Sequence, residues 1–332
     1  MSDYLKRIGQ LFIVGFPGKE PPSSFLRFLE ERRIGGVILF EENCPSLKKT
    51  RENVKLIRDV CGDNTPFIAI DQEGGRVCRL RGAPVEIRSA WEYGQDGNVE
   101  RFREEYERSV LVLESLGINL NLAPVCDVFL NPENNCCDGR CFGTTPEVVK
   151  PFVVAAVEAS RTAGVLSCLK HFPGLGASSI DPHQKTATAD YDELIWTNRE
   201  RIPFAAGVSA GADLIMTTHI LLPEFDDVIA TGSRGIIESL VRKSLDFDGP
   251  VITDDLAMAG AQELGEVGRR TIAAFQAGHD LLLFGSDFML ASRAYDYFCD
   301  CVRLGEISQQ RLQRALDRVS GIKFKLDRSV LR

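Results

Sequence analysis

Residues 147–172 read EVVKPFVVAAVEASRTAGVLSCLKHF. The first part is amphipathic over a helical length and stops at Gly164, the residue type that accepts the left-handed backbone of a helix end. The run LSCLKHF (166–172) follows at once. Its apolar residues are bounded by Gly on one side and charge on the other, as for a strand buried on both faces. It ends on Lys170 and His171. Helix, glycine stop, buried strand and charged strand end form one unit, and the rest of the chain repeats it.

Comparable apolar runs occur at 11–16 (LFIVGF), 35–40 (GGVILF), 67–72 (FIAIDQ), 118–128 (INLNLAPVCDV), 214–220 (LIMTTHI), 251–256 (VITDDL) and 279–284 (HDLLLF). Between them lie SSFLRFLEERR, LKKTRENVKLIRDV, ERFREEYERSVLVLESLG, DELIWTNRERIPFAAGVSAG, GIIESLVRKSL and LGEVGRRTIAAFQAG, all of helical length. Gly117, Gly211 and Gly278 repeat the stop seen at Gly164. Strands alternating with helices predict an α/β protein with a parallel sheet. Eight of them predict a closed (β/α)8 TIM-type barrel rather than an open doubly wound sheet. DFMLASRAYDYFCDCVRLG and SQQRLQRALDRVSGIKFKL then predict extra C-terminal helices. No Pro- or Ser-rich linker interrupts residues 1–332, so one catalytic barrel domain is expected.

Composition narrows the partners. Of the 332 residues, 44% are hydrophobic and 26% charged, and the net charge is −8. That balance argues against nucleic acid or an anionic membrane as the partner. The N-terminal apolar stretch LFIV is too short for a signal peptide, and no run approaches a membrane span. A cytoplasmic location is expected. Ten cysteines in a chain this long do not imply a disulfide scaffold. Cys78, Cys126 and Cys168 read as small buried hydrophobes. Cys136, Cys137 and Cys141 in NNCCDGRC invite a metal, but no second CxxC or His pair stands at a zinc-site spacing. Neither metal nor cofactor is expected. No GxGxxG or Walker pattern follows a strand.

The active face of such a barrel lies at the C-terminal ends of its strands. Those ends carry Asp71, Asp127 with Arg140 in the loop beyond, Lys170–His171, His219 and Asp254–Asp255. Charge placed directly after apolar runs is costly to bury unless it pairs or acts. Asp255 reads as the cap of a helix starting near Leu256, leaving Asp254 for chemistry. His219 reads as a hydrogen-bonded wall residue, and His279, at the opposite end of the barrel, as structural. Among Arg76, Arg79 and Arg81, Arg79 is the one expected to reach the site. Carboxylates that accept hydrogen bonds and Arg and Lys that donate them suit a polyhydroxylated ligand.

In order and spacing, DQEGGRVCRL (71–80), KHFPG (170–174), Asp181-x-His183, MTTHI (216–220) and TDDLAM (253–258) resemble glycoside hydrolase family 3. More narrowly, they resemble its bacterial β-N-acetylglucosaminidases of peptidoglycan recycling. The resemblance implies a retaining mechanism, with Asp254 as nucleophile and His183, partnered by Asp181, as acid/base. It also implies sugar binding by Asp71, Arg79, Arg140, Lys170 and His171; His219, as a wall residue at a neighbouring strand end, is grouped with them on position alone. The chain departs from the family at Leu175, where a second histidine is usual, and at Pro182, where a serine is usual.

Read as chemistry, Asp254 attacks the anomeric carbon while protonated His183 supplies the leaving group with its proton. Neutral His183 then activates water. Three alternatives stand beside this reading: a β-glucosidase, a phosphorylase using the same neutral base, and a catalytically silent sugar-binding barrel. A small N-acetylglucosaminyl glycoside, such as a muropeptide fragment, is the expected partner.

Overall fold

The structure, a computed structural model, describes residues 2–178, 186–285 and 287–329. Eight strands form one sheet: β1 (Phe12–Val14), β2 (Gly36–Leu39), β3 (Phe67–Ile70), β4 (Leu120–Asn121), β5 (Leu166–Phe172), β6 (Leu214–Thr217), β7 (Val251–Thr253) and β8 (Leu282–Phe284). Their spatial order is β7–β6–β5–β4–β3–β2–β1–β8, and every adjacent pair is parallel. A further parallel bridge between Ile252 and Leu281 brings β7 against the entry to β8 and nearly closes the ring. This is the expected barrel.

The helices that cover it are α1 (Ser23–Arg32), α2 (Leu47–Cys61), α3 (Val99–Ser115), α4 (Pro146–Ala163), α5 (Arg201–Ala210), α6 (Val267–Ala277) and α7 (Phe288–Leu304). A helical stretch over 234–244 lies between β6 and β7, and α8 (Gln309–Ser329) follows α7. No helix among the described residues is long and apolar enough to cross a membrane. Gly117, Gly164, Gly211 and Gly278 all hold positive φ, which is why each ends its helix.

Three expectations needed adjustment. The stretch DELIWTNRERIPFAAGVSAG divides into Glu193–Asn198, capped by Asp192, and α5. GIIESLVRKSL begins as an α-helix at Arg234–Ile236 and continues over Ile237–Ser244 in wider π-type winding. The run 118–128 contributes only Leu120–Asn121 as regular strand, because Pro124 has no N–H for the ladder. Pairing still runs on past the strand: the Cys168 amide donates to the Ala123 carbonyl (2.9 Å), the Lys170 amide to the Pro124 carbonyl (3.2 Å) and the Cys126 amide to the Lys170 carbonyl (2.6 Å).

At the N-terminal end of the barrel, Asp280 leads into β8 and is fully buried. Its carboxylate takes Arg242 (3.0 Å), Arg311 (3.2 Å) and Arg318 (3.6 Å) and accepts the Val251 amide (3.2 Å). Two of those arginines lie on α8, so one buried carboxylate holds the last helix against the barrel floor. This is the end of the fold where polar networks serve stability.

Candidate active site

A cavity of about 450 Å³ opens at the C-terminal ends of the strands. Asp71, Arg79, Arg140, Lys170, His171 and Asp254 all line it, as do Arg76, Cys136, Leu175, Asp255 and Met258. Volumes of this size are usual for small-molecule sites.

The polar wall is one ion network. Lys170 sits between two carboxylates, with Nζ 2.7 Å from Asp71 Oδ1 and 2.6 Å from Glu73 Oε1. Arg79 reaches the other oxygen of Asp71 at 3.1 Å. Arg140 grips Glu73 with two parallel bonds, Nε to Oε2 (2.8 Å) and Nη2 to Oε1 (2.7 Å), the geometry a guanidinium favours. Burial alone would raise the Asp71 carboxyl, but Lys170 and Arg79 hold it below its ordinary value. Glu73 is likewise held down against burial by Arg140 and Lys170. Burial would lower Lys170, yet the same two carboxylates raise it. Both signs of charge are therefore fixed in place before any ligand arrives.

His171 continues the network. Its Nε2 lies 3.0 Å from Arg140 Nη2, and its Nδ1 lies 2.7 Å from Asp127 Oδ2. Arginine can only donate, so Nε2 accepts and the proton sits on Nδ1, facing Asp127. Asp127 is fully buried at the end of its run and also accepts the Leu175 amide at 2.7 Å. It acts through His171 and the loop, not on the cavity.

The segment Phe172–Ser178 is pinned from several sides. The Tyr191 hydroxyl donates to the Gly174 carbonyl (3.1 Å), Trp196 Nε1 to the Pro173 carbonyl (3.1 Å) and Asn134 Nδ2 to the Leu175 carbonyl (2.8 Å). At Gly176, a Cβ would stand 1.8 Å from the Val128 carbonyl oxygen, so only glycine fits. Leu175 is fully buried and presents an apolar face to the cavity. Glu200 packs beneath Gly174 with Oε1 on Arg199 (2.7 Å), and burial pushes its carboxyl up to about 7. Beyond this segment, Asp181, Pro182 and His183 lie outside the described residues.

Asp254 follows β7. Its Oδ1 accepts the Asp255 amide (2.8 Å), and its own amide bonds the Thr217 carbonyl on β6 (3.0 Å). Asp255 Oδ1 accepts the Ala257 amide (2.8 Å), closing a turn over 255–258. It caps that turn instead of a helix at Leu256, since the first helical winding begins at Ala259. His219 is fully buried one layer behind, with Nδ1 at Thr231 Oγ1 (2.7 Å) and Nε2 at the Asp255 carbonyl (3.0 Å). It is hydrogen-bonded as the sequence suggests, but it backs the Asp254–Asp255 turn and does not line the cavity beside the sugar-binding candidates. His279 is fully buried between Thr217 and the Ala274 carbonyl, and burial pushes its imidazole down to about 3.

Among the three arginines above β3, Arg79 meets Asp71. Arg76 binds the carbonyls of Asn135, Cys136 and Asp138, and Arg81 pairs at the surface with Glu41 and Glu86. Sequence reasoning missed Glu73. The signal was there: Glu73 stands two residues after Asp71 in extended chain, and such residues share a face. All ten cysteines are free, with Cys78, Cys126 and Cys168 buried as expected.

The fold and this cavity define a (β/α)8-barrel enzyme with its charged site at the strand ends. The chain belongs to glycosyl hydrolase family 3, whose N-terminal domain matches residues 5–322. β-Hexosaminidase A of Pseudoalteromonas piscicida is 30% identical over 93% of this chain and 56% of its own length. A β-hexosaminidase of Xanthomonas axonopodis pv. citri (strain 306) is 32% identical, over 82% of this chain and 83% of its own. The solved family 3 β-N-acetylglucosaminidase of Paenibacillus sp. str. FPU-7 superposes with a TM-score of 0.94 at 31% identity, covering 97% of this chain and 62% of that one. The chain thus spans little more than half of the first of these relatives.

Proposed function

We propose that residues 1–332 act as a single catalytic domain, a retaining β-N-acetylhexosaminidase that removes terminal β-N-acetylglucosamine. The observation that carries the reading is the company Asp254 keeps. Its carboxylate shares one cavity with Asp71, Arg79, Arg140, Lys170 and His171. Asp71 has both oxygens held by cations and keeps lone pairs for sugar hydroxyls, while Lys170 and Arg79 keep donors beyond their ion pairs. The names of the relatives support the N-acetyl specificity.

In this mechanism, Asp254 attacks the anomeric carbon and forms a glycosyl ester as the leaving oxygen takes a proton from His183. Retaining glycosidases usually give that second role to a carboxylate. An imidazole, with an ordinary pKa near about 6.5, serves as acid and then as base at neutral pH. Asp181 orients the ring. Muropeptide fragments in the cytoplasm are the substrates we propose. Hydrolysis of an aryl N-acetyl-β-glucosaminide beside the matching aryl β-glucoside tests the assignment. The N-acetylated substrate should be cleaved far faster, and equal rates or the reverse order would overturn it.

A further inference from the structure

We infer that Asp127, Cys137 and Cys141 form a site for a thiophilic divalent cation, zinc or cadmium, behind the His171 wall of the cavity. The three ligand atoms lie within 4.8 Å of one another and all three residues are buried. The two thiols are hydrogen-bonded to each other. A tetrahedral ion with metal–sulfur bonds of about 2.3 Å holds two sulfurs about 3.8 Å apart, so a contraction of roughly an ångström or less closes the set.

Adjacent cysteines such as Cys136 and Cys137 chelate one ion poorly, but the fold uses only one of them. Cys136 faces the other way, lining the cavity with its sulfur 3.3 Å from Arg140 Nη1. The third ligand comes from the end of the β4 run instead. Binding releases both thiol protons to solvent. Two thiolates and a carboxylate then balance the dication, with the Arg140 guanidinium beside them. Because Asp127 Oδ2 also takes His171 Nδ1 at 2.7 Å, an ion that draws on Asp127 loosens His171. Occupancy should therefore inhibit hydrolysis, a consequence that rests on the proposed activity.

Titrating the metal-free full chain with Cd²⁺ while following the ultraviolet sulfur-to-cadmium charge-transfer band tests the site. One equivalent should saturate the band. Cys137→Ser/Cys141→Ser should abolish it, and Cys136→Ser should keep it. X-ray absorption of the zinc-loaded wild-type chain should report two sulfurs with oxygen or nitrogen ligands. This measurement does not depend on the double variant folding. No band, a band that survives the double substitution, or a shell without two sulfurs would overturn the site. A saturated band with undiminished hydrolysis would overturn the coupling to His171. A band on a chain that never cleaves N-acetylglucosaminides would leave the site standing and defeat the proposed activity.

Discussion

Glu73 serves two cations with one carboxylate, and both of them face the cavity while it does not. Glu73→Ala leaves Lys170 with Asp71 alone and Arg140 without its bidentate partner, in a dry environment. Removing one partner of a buried pair costs about 3–5 kcal/mol. Urea denaturation should show a loss of that order, with KM for an aryl glycoside raised as well. A change within about 0.5 kcal/mol would mean that the network is redundant. The proposed catalytic pair separates by leaving group. Asp254→Ala should abolish cleavage whatever the aglycone. His183→Ala should nearly spare the first step with a nitrophenolate, which departs unprotonated, yet cost a disaccharide on the order of 10²–10⁴-fold. Equal losses in single-turnover assays of the two substrates would move the proton to another group. The cavity residues were legible because polar side chains directly after apolar runs stand out. Glu73 sat two positions further along, and the burial of His219 behind the wall depended on Thr231, which no local pattern announces.

The same contrast holds among the elements. Glycine stops and doubly buried runs made the βα alternation readable. The break between Asn198 and Arg201 was hidden because both halves carry helical patterning, and packing under the Phe172–Ser178 segment decides where they part. Glu200 lies at that break, and its carboxyl, raised to about 7, gives the element a pH dependence. The folded state holds a proton that the unfolded chain releases near about 4.5. This contribution is therefore complete below that value and is lost as pH climbs through about 7. Over the whole window it amounts to about 3 kcal/mol. Glu200→Gln should flatten the fall in stability between pH 5 and 8, read from urea midpoints across that range. An unchanged slope would assign the dependence elsewhere.

For the molecule as a whole, the floor and the mouth of the barrel divide the labour. Asp280 gathers arginines from the 234–244 stretch and from α8 at the floor. Asp280→Ala should cost about 3–5 kcal/mol by stranding those cations, as read by urea denaturation, while KM stays near the wild-type value. A large rise in KM at unchanged stability would contradict that division. At acid pH, His279 adds a second loss. Its folded value near 3 lies below the ordinary 6.5, so its contribution is complete above about 6.5 and disappears as pH falls through about 3. At the mouth, Asp254 is the group proposed to carry the sugar. The most direct measurement is the mass of His183→Ala during turnover of nitrophenyl N-acetyl-β-glucosaminide. Without a base for water, the ester should accumulate as one N-acetylhexosaminyl unit on the peptide containing Asp254, and azide should discharge it. Protein that stays unmodified throughout turnover, or an adduct on another residue, would contradict the account.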